Sequence, residues 1–151
     1  MTIFCIDTNH AHYAAEVDLR VELLRKPLGL GRETVFFPFE AESLHFIALR
    51  NERVIGCVLF HRKSDTHGRL FQMAVSSEEQ RRGVGSKLVN HLECVVRALG
   101  VSSVALHARQ DARTFYEKLG YAIASEPYLE VGIPHVGMVK DLSSVRFGSP
   151  T

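Results

Sequence analysis

A turn between a predicted strand and a predicted helix reads Gln80-Arg81-Arg82-Gly83-Val84-Gly85-Ser86-Lys87. Its two glycines allow the backbone to pass close to a ligand. The start of the following helix offers free N–H groups and a partial positive charge, and three basic side chains add local charge. These features predict a cradle for the phosphate groups of an anionic ligand. The plainer alternative is a glycine-containing helix start with solvated arginines.

Two common phosphate-binding motifs do not fit this turn. A Walker A loop needs G-x-x-x-x-G-K-[ST], and the residues after Gly85 do not follow that pattern. A dinucleotide fingerprint needs a third glycine where Leu88 stands, and its helix should follow the first strand of a βαβ unit. Here several strands with an antiparallel pattern come first. The sequence therefore matches neither nucleotide-binding motif.

The rest of the chain alternates between strand and helix patterns. Apolar residues at helical spacing predict helices over 11–24, from Val84 to Gly100, and over 111–119. Runs rich in Val, Ile, Leu and Phe predict strands over 3–6, 44–50, 53–61, 69–76, 101–107, 121–131 and 134–141. This order predicts an α/β or α+β fold with a mixed sheet covered by helices. We expect one domain over residues 1–142 and a frayed tail over 143–151.

The composition is that of an ordinary globular protein. The chain has 151 residues, 46% of them hydrophobic and 23% charged, with a net charge of +1. Nucleic-acid binders usually carry a marked basic excess, so we expect no nucleic-acid partner. No apolar run is long enough to cross a bilayer, so we expect no membrane segment. Three widely spaced cysteines in mostly apolar surroundings, Cys5, Cys57 and Cys94, predict buried, reduced thiols and a cytoplasmic location. Their spacing and the scattered histidines predict no metal site.

The turn resembles the [QR]-x-x-G-x-[GA] motif of the GNAT superfamily of N-acyltransferases, with Gln80, Gly83 and Gly85 at the defining positions. The preceding strand, 70–75, resembles the family strand that bulges beside coenzyme A. Residues 111–121 resemble its A-x-x-F-Y-x-K-x-G-[FY] segment. The resemblance implies a mixed, mostly antiparallel sheet of six to seven strands flanked by helices. It also implies acetyl transfer from acetyl-CoA, the expected cosubstrate, to a primary amine of a small molecule or protein.

The same resemblance implies site residues. Coenzyme A is expected to contact the bulged strand, the turn and the following short helix, at Met73, Ala74, Val75, Gln80, Arg81, Arg82, Gly83, Val84, Gly85, Ser86, Lys87, Ala112, Phe115 and Tyr116. Tyr116 matches the family tyrosine that protonates the leaving thiolate, and its ordinary pKa near 10 suits that task. The alternative is a core tyrosine on the apolar face of its helix.

The general base and the acceptor site are less marked in the sequence. His107 and His135 are candidate bases, because histidine titrates near neutrality; water is a further alternative. Residues 130–138 resemble a G-I-P-H-x-x-M strand of small bacterial GNAT proteins. Arg25 is a candidate contact for an acidic group on the substrate, or else a cap at the end of the first helix.

Two further questions stay open at the level of sequence. An acyl-CoA-binding sensor without turnover is the alternative to an active transferase. An edge strand near the C-terminus would allow a homodimer to form by strand pairing.

Overall fold

The computed structural model describes residues 1–143, so most of the predicted tail, from residue 144 onward, lies outside the described residues. Its strands and α-helices are β1 (Thr2–Ile6), α1 (Tyr13–Leu24), β2 (Leu44–Arg50), β3 (Arg53–Arg62), β4 (His67–Val75), α2 (Val84–Ala98), β5 (Ser103–Arg109), α3 (Arg113–Lys118), β6 (Ala122–Ile123), β7 (Tyr128–Glu130) and β8 (Ile133–Asp141). Within this part of the chain, no helix is long and apolar enough to span a membrane.

The strands form a mixed sheet in the order β1-β2-β3-β4-β5-β8-β6, with β7 also paired to β8. The pairing of β4 with β5 is parallel and covers three residue pairs. The pairs β1–β2, β2–β3, β5–β8, β6–β8 and β7–β8 are antiparallel. The predicted mixed, mostly antiparallel sheet flanked by helices is confirmed, with eight strands instead of six or seven.

The described residues divide into two compact units. The first unit comprises Met1–His61 and Leu70–Glu93. In its core, Ile6, Ile47, Cys57 and Ala74 are buried, and partly buried leucines of α1 pack against them. Gly56 on β3 allows α2 to approach closely, since a Cβ there would lie 3.0 Å from Leu88 Cδ1.

Among the described residues, the second unit comprises Arg62–Arg69 and residues 94–143. Its centre is the β5–β8 ladder, which runs from Ser103 with Asp141 to Arg109 with His135. The single strand predicted over 121–131 is wrong: the structure has the short strands β6 and β7 there. Pro127 lies between them and has no N–H for a ladder.

A two-residue turn joins β7 to β8 and sets the register of this edge. Val131 and Gly132 both have positive φ, as a two-residue hairpin requires. Tyr128 is therefore paired with His135, and Glu130 with Ile133.

Candidate active site

The predicted cradle is a tight turn at the start of α2. Arg81 and Gly83 both adopt left-handed conformations, with φ of 66° and 79°. A Cβ at Gly83 would meet no atom within 4 Å, so the turn is open on that side. The first hydrogen bond of α2 runs from Lys87 N to Gly83 O. The N–H groups that precede Lys87 in the first turn therefore have no acceptor within the helix itself. This geometry suits a phosphate group.

Side chains tie the turn to its surroundings. Gln80 Nε2 donates to Val75 O at 3.1 Å and so links the turn to the end of β4. The half-exposed Arg50 donates from Nε to the buried Glu79 carboxylate at 3.0 Å, and Arg82 Nη1 lies 3.8 Å from the other carboxylate oxygen. Arg81, Arg82 and Lys87 are exposed to solvent, so this turn concentrates positive charge at the helix start.

The strand before the turn contains an unusual backbone conformation. Gln72 on β4 has a φ of 54°, a left-handed conformation that non-glycine residues rarely adopt. Such a residue inside a strand bends it and interrupts its ladder, as in a bulge. Met73, Ala74 and Val75 follow it directly, and only Ala74 is fully buried. Gln72 is thus the position where β4 departs from regular strand geometry; contact of Met73, Ala74 and Val75 with coenzyme A stays a prediction.

Tyr116 lies in the second unit, on the short helix α3. It is buried, and its ring packs edge-on against Phe115 and Tyr121 with centroids 4.9 and 5.9 Å away. Burial raises the pKa of the Tyr116 hydroxyl, so the sequence-based assumption of an ordinary value is corrected. The hydroxyl therefore stays protonated at neutral pH. Ala112 and Phe115, the other predicted coenzyme A contacts of this segment, are half-buried.

The two candidate bases lie in one cluster, which we call the histidine cluster: His107, Tyr128, Glu130 and His135. The Tyr128 hydroxyl lies 2.5 Å from His107 Nδ1. Glu130 Oε2 lies 3.4 Å from His135 Nε2, and Glu130 Oε1 lies 3.9 Å from His107 Nδ1. His135 also contacts the Ile133 carbonyl through Nδ1 at 2.7 Å. Sequence reasoning missed Tyr128 and Glu130, although the Val131-Gly132 turn would have paired them with the next strand.

The two histidines of this cluster differ in environment. The His107 side chain is 41% exposed, whereas that of His135 is 8% exposed. Partial burial and the positive charge of Arg69 lower the pKa of His107. Burial and the nearby Glu130 carboxylate raise the pKa of Tyr128. At neutral pH the cluster therefore presents a neutral imidazole at His107, held by a protonated phenol.

Arg25 has structural partners in the first unit. Its Nη1 donates to Leu24 O at 3.1 Å, and its Nε donates to Thr34 O at 3.2 Å. The first contact is the one expected of an arginine that caps the end of α1. A role for Arg25 in substrate binding stays a prediction.

A buried group of charged side chains was missed by sequence reasoning. Glu16, Glu40 and His45 are buried, and their potential ligand atoms lie within 4.8 Å of one another. A metal would have to displace Arg20, whose guanidinium already donates to both carboxylates. The donor set is thus occupied by a cation of the protein itself, and the expectation of no metal stays a prediction.

Comparisons with known proteins identify the family of this chain and its fold. Residues 13–121 match the Acetyltransferase (GNAT) family. The uncharacterized N-acetyltransferase YjcF of Bacillus subtilis (strain 168) is 32% identical over 124 residues, which are 82% of this chain and 88% of that protein. The structure of Escherichia coli ElaA covers 93% of this chain and all of its own, with a TM-score of 0.81 and 18% identity. An aminoglycoside 6′-N-acetyltransferase, solved with coenzyme A, covers 94% of this chain and 97% of its own, with a TM-score of 0.77 and 22% identity.

The family match and the fold together define an acyltransferase of the GNAT class. The chain belongs to the Acetyltransferase (GNAT) family, as the resemblance in the sequence indicated. It is an acetyl-CoA-dependent N-acyltransferase. The alternative of a sensor module without turnover is not favoured.

Proposed function

We propose that this chain transfers the acetyl group of acetyl-CoA to a primary amine by direct attack on the thioester. The observation that carries the proposal is the open, left-handed turn of Arg81 and Gly83 at the start of α2. Its N–H groups and basic side chains would hold the pyrophosphate of the cosubstrate. The relative YjcF, named as an N-acetyltransferase, supports the reaction class.

Tyr116 is the proposed general acid. As the amine nitrogen bonds to the acetyl carbon and the C–S bond breaks, the departing thiolate needs a proton. The raised pKa of the Tyr116 hydroxyl keeps that proton in place at neutral pH. Because the ordinary pKa of a thiol, about 8.5, lies below that of a tyrosine, the Tyr116 hydroxyl would act mainly by donating a hydrogen bond to the sulfur as the C–S bond breaks. A proton that it gives to the thiolate would be replaced from solvent.

The histidine cluster is the proposed destination of the amine proton. His107 has a lowered pKa, so it is neutral at pH 7 and able to accept a proton. In the tautomer with its proton on Nδ1, His107 donates to the Tyr128 oxygen and presents Nε2 as the acceptor. Glu130 would stabilise the resulting imidazolium through its negative charge, since a carboxylate oxygen lies 3.9 Å away. His135, paired to the same carboxylate, is the alternative base.

The first test is calorimetry with acetyl-CoA, using ATP and NAD as controls, followed by an assay for thiol release with a panel of primary amines. With an accepted amine, Tyr116→Phe should lower kcat by about 100-fold and leave the affinity for acetyl-CoA unchanged. Tyr121→Phe is the matched control, because it also removes a hydroxyl from a buried tyrosine of the same unit. Thiol release that is indifferent to Tyr116→Phe would contradict the assignment of the acid.

Other expectations from the sequence are part of the proposal. We propose a cytoplasmic protein, which the three free cysteines support. Of these, Cys57 is buried as expected, but Cys5 and Cys94 are exposed, so the expectation of buried thiols is wrong for those two. We also propose that acetyl-CoA and an amine are its ligands, without nucleic acid, membrane or metal. A homodimer stays a prediction, and analytical ultracentrifugation of the full chain would test it.

A further inference from the structure

Arg20, on α1 in the first unit, is fully buried and has an acceptor for each of its five N–H groups. Nη1 donates to Glu16 at 2.9 Å and to Glu40 at 2.5 Å. Nη2 donates to the second oxygen of Glu40 at 3.0 Å and to the Val35 carbonyl at 2.7 Å. Nε donates to Gln72 Oε1 at 3.3 Å. Because the guanidinium is planar and rigid, these five partners are held in fixed directions.

His45 completes the charge balance of this group. Its Nδ1 lies 2.8 Å from a Glu16 carboxylate oxygen, and its Nε2 lies 2.8 Å from the Glu40 carbonyl oxygen. Both partners are acceptors, so both ring nitrogens must donate and His45 is an imidazolium. The hydrogen bonds to Glu16 and Glu40 outweigh burial and raise the pKa of His45. Two cations, Arg20 and His45, thus balance two carboxylates.

Stability alone does not explain such a group. Removing charges from water costs several kcal/mol per ion, and apolar side chains of similar volume often serve a fold equally well. Apolar packing, however, does not supply hydrogen bonds that hold neighbouring segments in a fixed orientation. The group, which we call the Arg20 cluster, contacts two segments outside α1: the segment between α1 and β2, at Val35 and Glu40, and the strand β4, at Gln72.

The fixed orientation matters most at Gln72, because its backbone conformation is strained. Its left-handed φ of 54° costs on the order of 1 kcal/mol or more and persists only where neighbouring groups hold it. Two contacts do so: Arg20 Nε on the side-chain oxygen, and the Cys57 thiol on the main-chain carbonyl at 3.5 Å. The conformation of Gln72 sets the course of the backbone through Met73, Ala74 and Val75, the residues expected to meet acetyl-CoA.

We propose that the Arg20 cluster is a positioning device for acetyl transfer: through Gln72 it aims the backbone N–H groups of residues 73–75 at the thioester of acetyl-CoA. This inference rests on the proposed function. Arg20 is a positioning residue, since it acts through Gln72 and not on the reacting atoms.

The test uses acetyl-CoA labelled with ¹³C at the thioester carbonyl. A carbonyl that accepts a hydrogen bond absorbs at lower wavenumber, so difference infrared spectra report the alignment of the N–H group. Wild-type protein should shift the band downward. Gln72→Leu, which removes the acceptor of Arg20 Nε, should abolish most of that shift. It should also lower the affinity for acetyl-CoA by about three- to tenfold, the effect of one hydrogen bond, while the affinity for free coenzyme A changes less.

Two further variants separate positioning from stability. Tyr13→Phe removes a hydrogen bond to Glu40 within the same cluster and leaves Gln72 untouched; it should lower Tm and keep the full band shift. Gln72→Glu keeps a side-chain oxygen that can accept from Arg20 Nε, so it should keep the band shift that Gln72→Leu loses. Full retention of the shift in Gln72→Leu, or equal loss of it in Tyr13→Phe, would overturn the proposal. A wild-type protein that binds no acetyl-CoA would instead remove the proposed function itself.

Discussion

Replacing Gly83 by alanine separates the role of the turn in folding from its role in binding. Gly83 has a φ of 79°, and a Cβ there would meet no atom within 4 Å. The only cost to the protein is therefore the left-handed conformation, about 1 kcal/mol, which lowers Tm by about 2–4 °C for a chain of this size. The new methyl group would occupy the space where a phosphate has to approach the backbone. Loss of one charge-assisted hydrogen bond, about 1.5–3 kcal/mol, would raise the Kd for acetyl-CoA roughly 10- to 100-fold.

Gly29 is the matched control for this experiment. It is also left-handed, with a φ of 71°, and a Cβ there also meets nothing within 4 Å. Gly29→Ala should therefore lower Tm by the same amount as Gly83→Ala and leave the Kd for acetyl-CoA unchanged. Calorimetry and thermal melts of the three proteins give both quantities. Equal Tm losses with an unchanged Kd in Gly83→Ala would show that the turn does not hold the pyrophosphate.

Three shorter predictions follow from other sites. Gly56→Ala should lower the free energy of unfolding by about 1–3 kcal/mol in urea titrations, because its Cβ would meet side chains of α2 at 3.0 and 3.1 Å; an unchanged midpoint would refute the close packing. The raised pKa of His45 predicts a stabilisation that is complete below its ordinary value near 6.5 and lost as pH rises through the folded value. The stability difference between wild type and His45→Gln should accordingly shrink from pH 6 to pH 9. If His107 is the base, kcat/KM should fall on acidification with an apparent pKa below 6.5, since burial and Arg69 lower it; His107→Gln should remove this limb.

The elements that the sequence predicted well are those with a local signal. The helix that begins at Val84 has apolar residues at regular spacing, and its start carries the motif Gln80, Gly83 and Gly85. The Arg20 cluster has no such signal, because its members come from α1, a loop, β2 and β4 and meet only in three dimensions. Pro127 did carry a local signal, and it marks the break between β6 and β7 that the single predicted strand overlooked.

Residues with strained backbone conformations lie next to the motif of Gln80, Gly83 and Gly85. Within residues 1–143, five non-glycine residues have positive φ. Asn51, Glu52 and Val131 lie in two-residue turns that join paired strands, where hairpin geometry requires this conformation. Gln72 and Arg81 have no hairpin to explain them, and they flank the segment 73–80 on both sides. Strained residues persist where surrounding contacts hold them. The hydrogen bonds from Arg20 to Gln72 and from Gln80 to Val75 hold both ends of this segment and so support the proposal that it binds acetyl-CoA.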